Sequence, residues 1–152
     1  MTVELNQYIV RSFYATIEKD GMQAADPFLA DDFRAQVVGL GEAMDRQAFK
    51  RFGALFFKAF AGLCHNINAM VAERDRVVAI LAITGTHWGV LEGILPTGQP
   101  VTIPAMAAFR FEAGRITEVK MIFDQLGMLQ QLGGFPKSED LFARSRVTLP
   151  VQ

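Results

Sequence analysis

The chain holds little of what metal, redox and nucleic-acid chemistry draw on. Of 152 residues one is cysteine, Cys64, and two are histidine, His65 and His87. A single thiol forms no intrachain disulfide, and these three side chains fall short of the usual set of Cys and His zinc ligands. Formal net charge is −1, with lysine and arginine scattered along the sequence. No basic stripe follows a phosphate backbone, so nucleic acid is not an expected partner. No apolar run approaches the roughly 20 residues needed to cross a bilayer, so a membrane is not one either. The opening segment MTVELNQYIVRSFYATIEKDG carries charges throughout and lacks the continuous apolar core of a signal peptide. The expected location is the cytoplasm.

Phenylalanine, by contrast, is abundant. The chain has 13 of them, and 51% hydrophobic against 20% charged residues. That is apolar for a soluble monomer, so a homodimer burying part of this surface is expected. The length fits one domain, residues 1–152, able to bury a sizeable core. Residues 136–152 are expected to form a loosely held tail.

Residues 3–19 place Leu5, Tyr8, Ile9, Ser12, Phe13 and Ile17 at helical steps, and Asp20-Gly21 stops the pattern. A short second helix and a strand over Phe33–Leu40 follow. Asp45 is a plausible N-cap for a third helix, DRQAFKRFGALFFKAFAG, with Phe49, Phe52, Leu55, Phe56 and Phe60 as its apolar stripe. Such a stripe reads first as core, and Phe56 is carried as a candidate pocket contact. From Leu63 the period changes to two. Strands are expected over Asn66–Glu73, Val77–Trp88, Val101–Glu112 and Ile116–Asp124, in two hairpins, with a short helix after Asp124. Helices followed by an antiparallel sheet indicate an α+β fold.

Pairing Glu112 with Arg115 across the Ala113-Gly114 turn sets the parity of the last hairpin. Without a bulge, one face carries Gly85, His87 and Gly89, then Ile103, Ala105, Ala107 and Phe109, then Glu118, Lys120, Ile122 and Asp124. That face joins small side chains to convergent polar groups, as a ligand pocket does. Val119, Met121, Phe123, Met106 and Trp88 fall on the other face, where a second subunit could pack.

Several segments then resemble one family: Gly85-Thr86-His87, the turn Gly93 to Pro100, Phe109-Arg110-Phe111-Glu112, Gly114-Arg115-Ile116-Thr117-Glu118, Asp124-Gln125-Leu126-Gly127 and Leu129-Gln130-Gln131-Leu132-Gly133. They are similar to the SnoaL-like polyketide cyclases (ester cyclases) of the NTF2-like superfamily. The resemblance implies an NTF2-like cone, a curved antiparallel sheet wrapped around N-terminal helices with a deep apolar pocket. It implies intramolecular aldol ring closure without metal or cofactor, a carboxylate matching Asp124 as general acid and base, and a histidine matching His87 in the same pocket. Two departures stand out: Lys120 replaces a usual tryptophan, and Arg34-Ala35-Gln36 stands where relatives often carry a histidine.

Asp124 and His87 are therefore the candidate catalytic pair, with His87 stabilising an oxyanion as charge develops. The bland alternatives are a carboxylate that caps the last helix and a core histidine satisfied by a carbonyl. Lys120, Glu118, Ala107, Ile122, Phe109 and Phe56 are candidate substrate contacts. Arg110 and Glu118 are placed to form a cross-strand pair. His65, without an acidic or thiol partner at a telling spacing, is read as structural. The expected function is acid–base chemistry, a cyclisation or isomerisation, on a small, mostly apolar carbonyl compound such as a polyketide-like ester. The alternatives are a dimeric module that only binds a small apolar ligand and a scaffold whose pocket is filled by its own side chains. A pocket too small for a bicyclic ligand would favour the scaffold.

Overall fold

The computed structural model describes residues 2–135; the tail expected over 136–152 lies outside them. Helix α1 spans Val3–Asp20, and the Thr2 side chain accepts from the Leu5 N–H at its start. A 3₁₀ turn, Met22–Phe28, leads into β1, Leu29–Val37. Helix α2 covers Arg46–Ala59, with the Asp45 carboxylate accepting from the Ala48 N–H as an N-cap should. Four strands follow, β2 (Phe60–Glu73), β3 (Arg76–His87), β4 (Pro100–Glu112) and β5 (Arg115–Phe123), and then α3, Gln125–Gln131.

The strands form one sheet in the order β1-β5-β4-β3-β2, with β1 parallel to β5 and every other pair antiparallel. This is the expected α+β class. Two boundaries differ from the sequence reading: β1 runs earlier than Phe33–Leu40, and α2 ends at Ala59 so that Phe60 opens β2. Helices α1 and α2 pack on one side of the sheet. On α1, Val10, Phe13, Tyr14 and Ile17 are buried, while Leu5 and Tyr8, expected on the same stripe, stay exposed. Asn6 takes the buried place near them and donates to the Arg74 carbonyl in the β2–β3 turn. The 3₁₀ turn is tied to α2 by Asp26, which accepts from Lys50 at 2.9 Å and pairs with Arg46 at 3.1 Å.

Two of the sheet's bulges bear directly on the site. On β2 the pairing passes from Ala61↔Thr86 to Cys64↔Thr84, one extra residue beside Gly62, whose φ of +64° suits glycine. Phe60 faces the helices before that point, and Leu63 and His65 face them after it. On β5 the pairing passes from Phe111↔Ile116 to Arg110↔Glu118, leaving Thr117 as the extra residue. From there on the inward side chains are Val119, Met121 and Phe123.

Candidate active site

The second bulge overturns the shared polar face expected on β5. Ala108, not Ala107, lies opposite Lys120, and Ala107 pairs with Met121. Glu118, Lys120 and Ile122 consequently stand on the outer face, exposed. Arg110 does lie opposite Glu118, but its guanidinium pairs with Asp75 at 3.3 Å instead. On β3 and β4 the expected parity holds: Ala79 lies opposite Ala107, on the face that His87 shares. Ala107 and Phe109 are buried on the inner side.

Asp124 is exposed at the end of β5 and caps α3, accepting from the Gly127 N–H at 2.8 Å. His87 is fully buried at the end of β3. Its Nδ1 accepts from the Thr97 N–H at 3.2 Å and lies 3.0 Å from the Thr97 hydroxyl. An accepting Nδ1 leaves the proton of the neutral ring on Nε2, and that buried atom has no partner among the described residues. No hydrogen bond or ion pair joins His87 to Asp124, and neither lines the inner cavity described next.

That cavity lies between the helices and the sheet. Phe13, Tyr14 and Ile17 of α1, Phe49, Phe52, Phe56 and Phe57 of α2, and Leu63, His65, Ile83, Phe109, Met121 and Phe123 of the strands are among its walls. Phe56 and Phe109 are thus among its walls, and the phenylalanine stripe of α2 is a wall as well as core. Its volume is about 70 Å³, less than half the roughly 150 Å³ in which an apolar cavity takes up one benzene ring. Phe52, Phe56 and Phe123 also line an outer apolar groove of about 630 Å³, together with Leu91, Ile94, Met128 and Phe135. These three rings are the partition between the two spaces. Ile122 and Asp124 line a separate shallow groove on the outer face of the sheet.

The titratable side chains on the cavity wall are Tyr14 and His65. Their rings stack with centroids 4.6 Å apart and planes 24° from parallel. The reading of His65 as partnerless does not survive. Glu18, one helical turn beyond Tyr14 on α1, brings its Oε1 to 3.0 Å from His65 Nδ1, and the His65 backbone N–H donates to the same oxygen. A gap of 47 residues separates the two in sequence, so spacing could not reveal the pair.

Burial pushes the Glu18 carboxyl up, but the hydrogen bonds and charge of His65 outweigh it and hold the group below its ordinary value. Burial first, and the Glu18 charge second, push the Tyr14 phenol well above its usual range, so it keeps its proton. The same two causes raise the Cys64 thiol, which argues against a thiolate nucleophile. Because Glu18 is easier to ionise folded than unfolded, the stability it contributes is present above its ordinary value of 4.5. It is lost as pH falls through the lower folded value. His65, Tyr14 and Cys64 are the groups that face it. The stability difference between wild type and Glu18→Gln is therefore expected to be largest above pH about 5 and to shrink below pH about 4. Denaturant titrations at several pH values check this, and a difference constant over that window would remove the linkage.

Among the described residues no group of three or more His, Cys, Asp or Glu side chains could hold a metal ion, and no helix is long and apolar enough to cross a membrane.

The model of the SnoaL-like polyketide cyclases matches residues 8–132. The chain belongs to that family. Membership supports a cyclase-type function for this SnoaL-like protein. Among solved structures it is similar to AclR of Streptomyces galilaeus, a candidate hydroxylase, with a TM-score of 0.84, 22% identity, and 93% of this chain and 95% of that one covered. It is also similar to IdmH of Streptomyces antibioticus, a candidate polyketide cyclase, with a TM-score of 0.76, 23% identity, and coverage of 84% and 97%. A Catenulispora acidiphila protein of ketosteroid isomerase-like fold, in complex with trimethylamine, superposes with a TM-score of 0.69 at 20% identity, covering 82% and 92%. At such identities these likenesses establish the NTF2-like fold of this SnoaL-like chain. No curated protein matches its sequence.

Proposed function

We propose that this SnoaL-like protein is a cofactor-independent enzyme performing acid–base chemistry, an aldol-type cyclisation or isomerisation, on a small, mostly apolar carbonyl compound such as a polyketide-like ester. The observation that carries the reading is the cavity wall: aromatic and aliphatic throughout, with titratable groups only at Tyr14 and His65. An apolar body fits the first property, and a carbonyl that must be polarised or deprotonated fits the second.

The small volume favours a second reading, a cavity filled by its own phenylalanines. Even a one-ring ligand must displace Phe52 or Phe56 toward the outer groove, and the groove supplies the room. Trideuterated acetophenone, labelled on its methyl group, tests the two readings with a ketone of a single ring. Turnover chemistry of the proposed kind is expected to wash deuterium into water well above the buffer rate, followed by proton NMR. Uptake of the ketone without exchange supports the binding module, and no uptake supports the self-filled scaffold.

The outer sheet face supports a homodimer as the partner. Ile80, Met106 and Ile122 lie in one cross-strand row, with exposures of 37%, 52% and 52%, and Val78 adds to it. A second copy covering this face is expected to give a dimeric mass by light scattering at micromolar concentration, and a monomeric mass would refute it. No basic or membrane-binding surface enters the reading, and the expected site of action is the cytoplasm.

A further inference from the structure

We infer that His65 is the proton-transfer base of the cavity, with Glu18 positioning it and the Tyr14 hydroxyl serving as hydrogen-bond donor to the substrate oxygen. The inference rests on the enzyme reading above and assigns its chemistry to residues other than Asp124 and His87.

The argument begins with Glu18. An ionised carboxylate only accepts hydrogen bonds, so the 3.0 Å contact with His65 Nδ1 places the ring proton on that nitrogen. Nε2 of the neutral ring then carries a bare lone pair, and it has no hydrogen-bond partner among the described residues. An acceptor of this kind on an apolar wall is a base waiting for a donor. The arrangement, a carboxylate fixing tautomer and ring orientation of a histidine, follows the logic by which a triad orients its base. The second hydrogen bond, from the His65 backbone N–H to the same oxygen, fixes Glu18 in turn.

Tyr14 supplies the complement. It keeps its proton and stacks on the His65 ring, and its hydroxyl makes no hydrogen bond among the described residues. Stacked rings put the donor and the base on one wall. His87 lacks this placement, since its accepting Nδ1 is already taken by Thr97. Asp124 lacks it too, since its carboxylate serves the α3 cap.

The step balances without a further reagent. Nε2 takes a proton from the carbon next to the carbonyl, and the C–H pair becomes the carbon–carbon double bond of an enolate. The carbonyl π pair moves to oxygen, where Tyr14 donates its hydrogen bond. The resulting imidazolium stands against Glu18, then returns the proton to carbon, or to the alkoxide oxygen after ring closure.

Three variants test it in the acetophenone exchange assay. His65→Phe keeps the stack on Tyr14 and removes the base, and its enzymatic exchange is expected to fall at least about 100-fold. Glu18→Gln keeps the size and removes the charge that favours a held proton. Its exchange is expected to be slower, with the rise of the pH–rate profile moved to lower pH, a shift that a merely structural role would not produce. Tyr14→Phe is expected to lose about 10-fold or more while leaving the profile's midpoint in place. Near-wild-type exchange in His65→Phe overturns the assignment and leaves the enzyme reading standing, the more so if Asp124→Asn abolishes exchange. A wild type that takes up the ketone without exchanging it overturns the enzyme reading and this inference together. Circular dichroism and urea titration, which need no polar wall, show whether a silent variant is folded. If His65→Phe is unfolded, the Glu18→Gln profile decides, and an unmoved midpoint refutes the role of Glu18.

Discussion

Phe109→Ala is expected to lower the unfolding free energy by about 3–5 kcal/mol. Phe109 is 1% exposed on the inner face of β4, where it lies opposite Val77 on β3 and Val119 on β5. Its ring meets Phe13 edge-on at 6.3 Å and Tyr14 at 5.9 Å and 88°, so it is one seat of α1 on the sheet. Truncation removes the transfer free energy of the ring and leaves a void beside an existing cavity. Neighbours that already border empty space can collapse only in part, which places the cost toward the upper end. Against a typical total of about 5–15 kcal/mol, that is at least about a fifth of the stability of a domain. Urea titration with an unchanged slope checks it. A cost below about 1 kcal/mol would mean that α1 does not depend on this contact. The same substitution joins its void to the inner cavity, so a folded Phe109→Ala is also expected to take up benzene more tightly than wild type.

The elements of the fold were legible because their signals are local. The Asp45 cap, the acidic stop at Asp20-Gly21 and the Ala113-Gly114 turn each act within a few residues, and each stands where the sequence put it. The faces were legible only as far as parity ran unbroken. It ran unbroken from β3 to β4, and Ala107, Phe109 and His87 point inward as expected. It failed on β5 at Thr117, and one extra residue exchanged Glu118, Lys120 and Ile122 for Val119, Met121 and Phe123. The run Ile116-Thr117-Glu118-Val119 has no glycine to mark that bulge.

The bulge on β2 did have a mark, Gly62, in a run read as the end of a helix. Reading Phe60 as the first strand residue and Gly62 as the bulge turns Leu63 and His65 inward and Cys64 outward. What no sequence signal reached is Glu18. Only the docking of α1 beside the bulged strand carries its carboxylate to His65. The polar contacts of the site are therefore tertiary, while the apolar walls, Phe56 and Phe109 among them, were written in the periodicity.

Glycines on the inner face also changed meaning. Gly89 was read as one of the small residues that leave room for a ligand, but it marks a close approach of backbones. A Cβ there would stand 2.4 Å from the Lys58 carbonyl oxygen and 3.2 Å from the Ala59 Cα. Both Trp88 and Gly89 donate their N–H groups to the Ala59 carbonyl, at 2.8 and 3.0 Å. These bonds clamp the end of β3 to the corner where α2 becomes β2, the corner that sets Phe60 against His87. Backbone atoms cannot step aside as a flexible side chain does, so Gly89→Ala is expected to cost about 3 kcal/mol, the upper part of the overpacking range. Gly93→Ala is the control. Its φ of +75° strains an L-residue, but nothing lies within 4 Å of the added carbon, so a cost of about 1 kcal/mol is expected. Denaturation of both variants, with amide hydrogen exchange at Trp88 and position 89, separates the mechanisms. Faster exchange at both amides should accompany the Gly89 loss and be missing from the Gly93 variant. If Gly89→Ala costs no more than Gly93→Ala, the α2–β2 corner yields without losing its hold on β3, and the burial of His87 does not depend on that clamp.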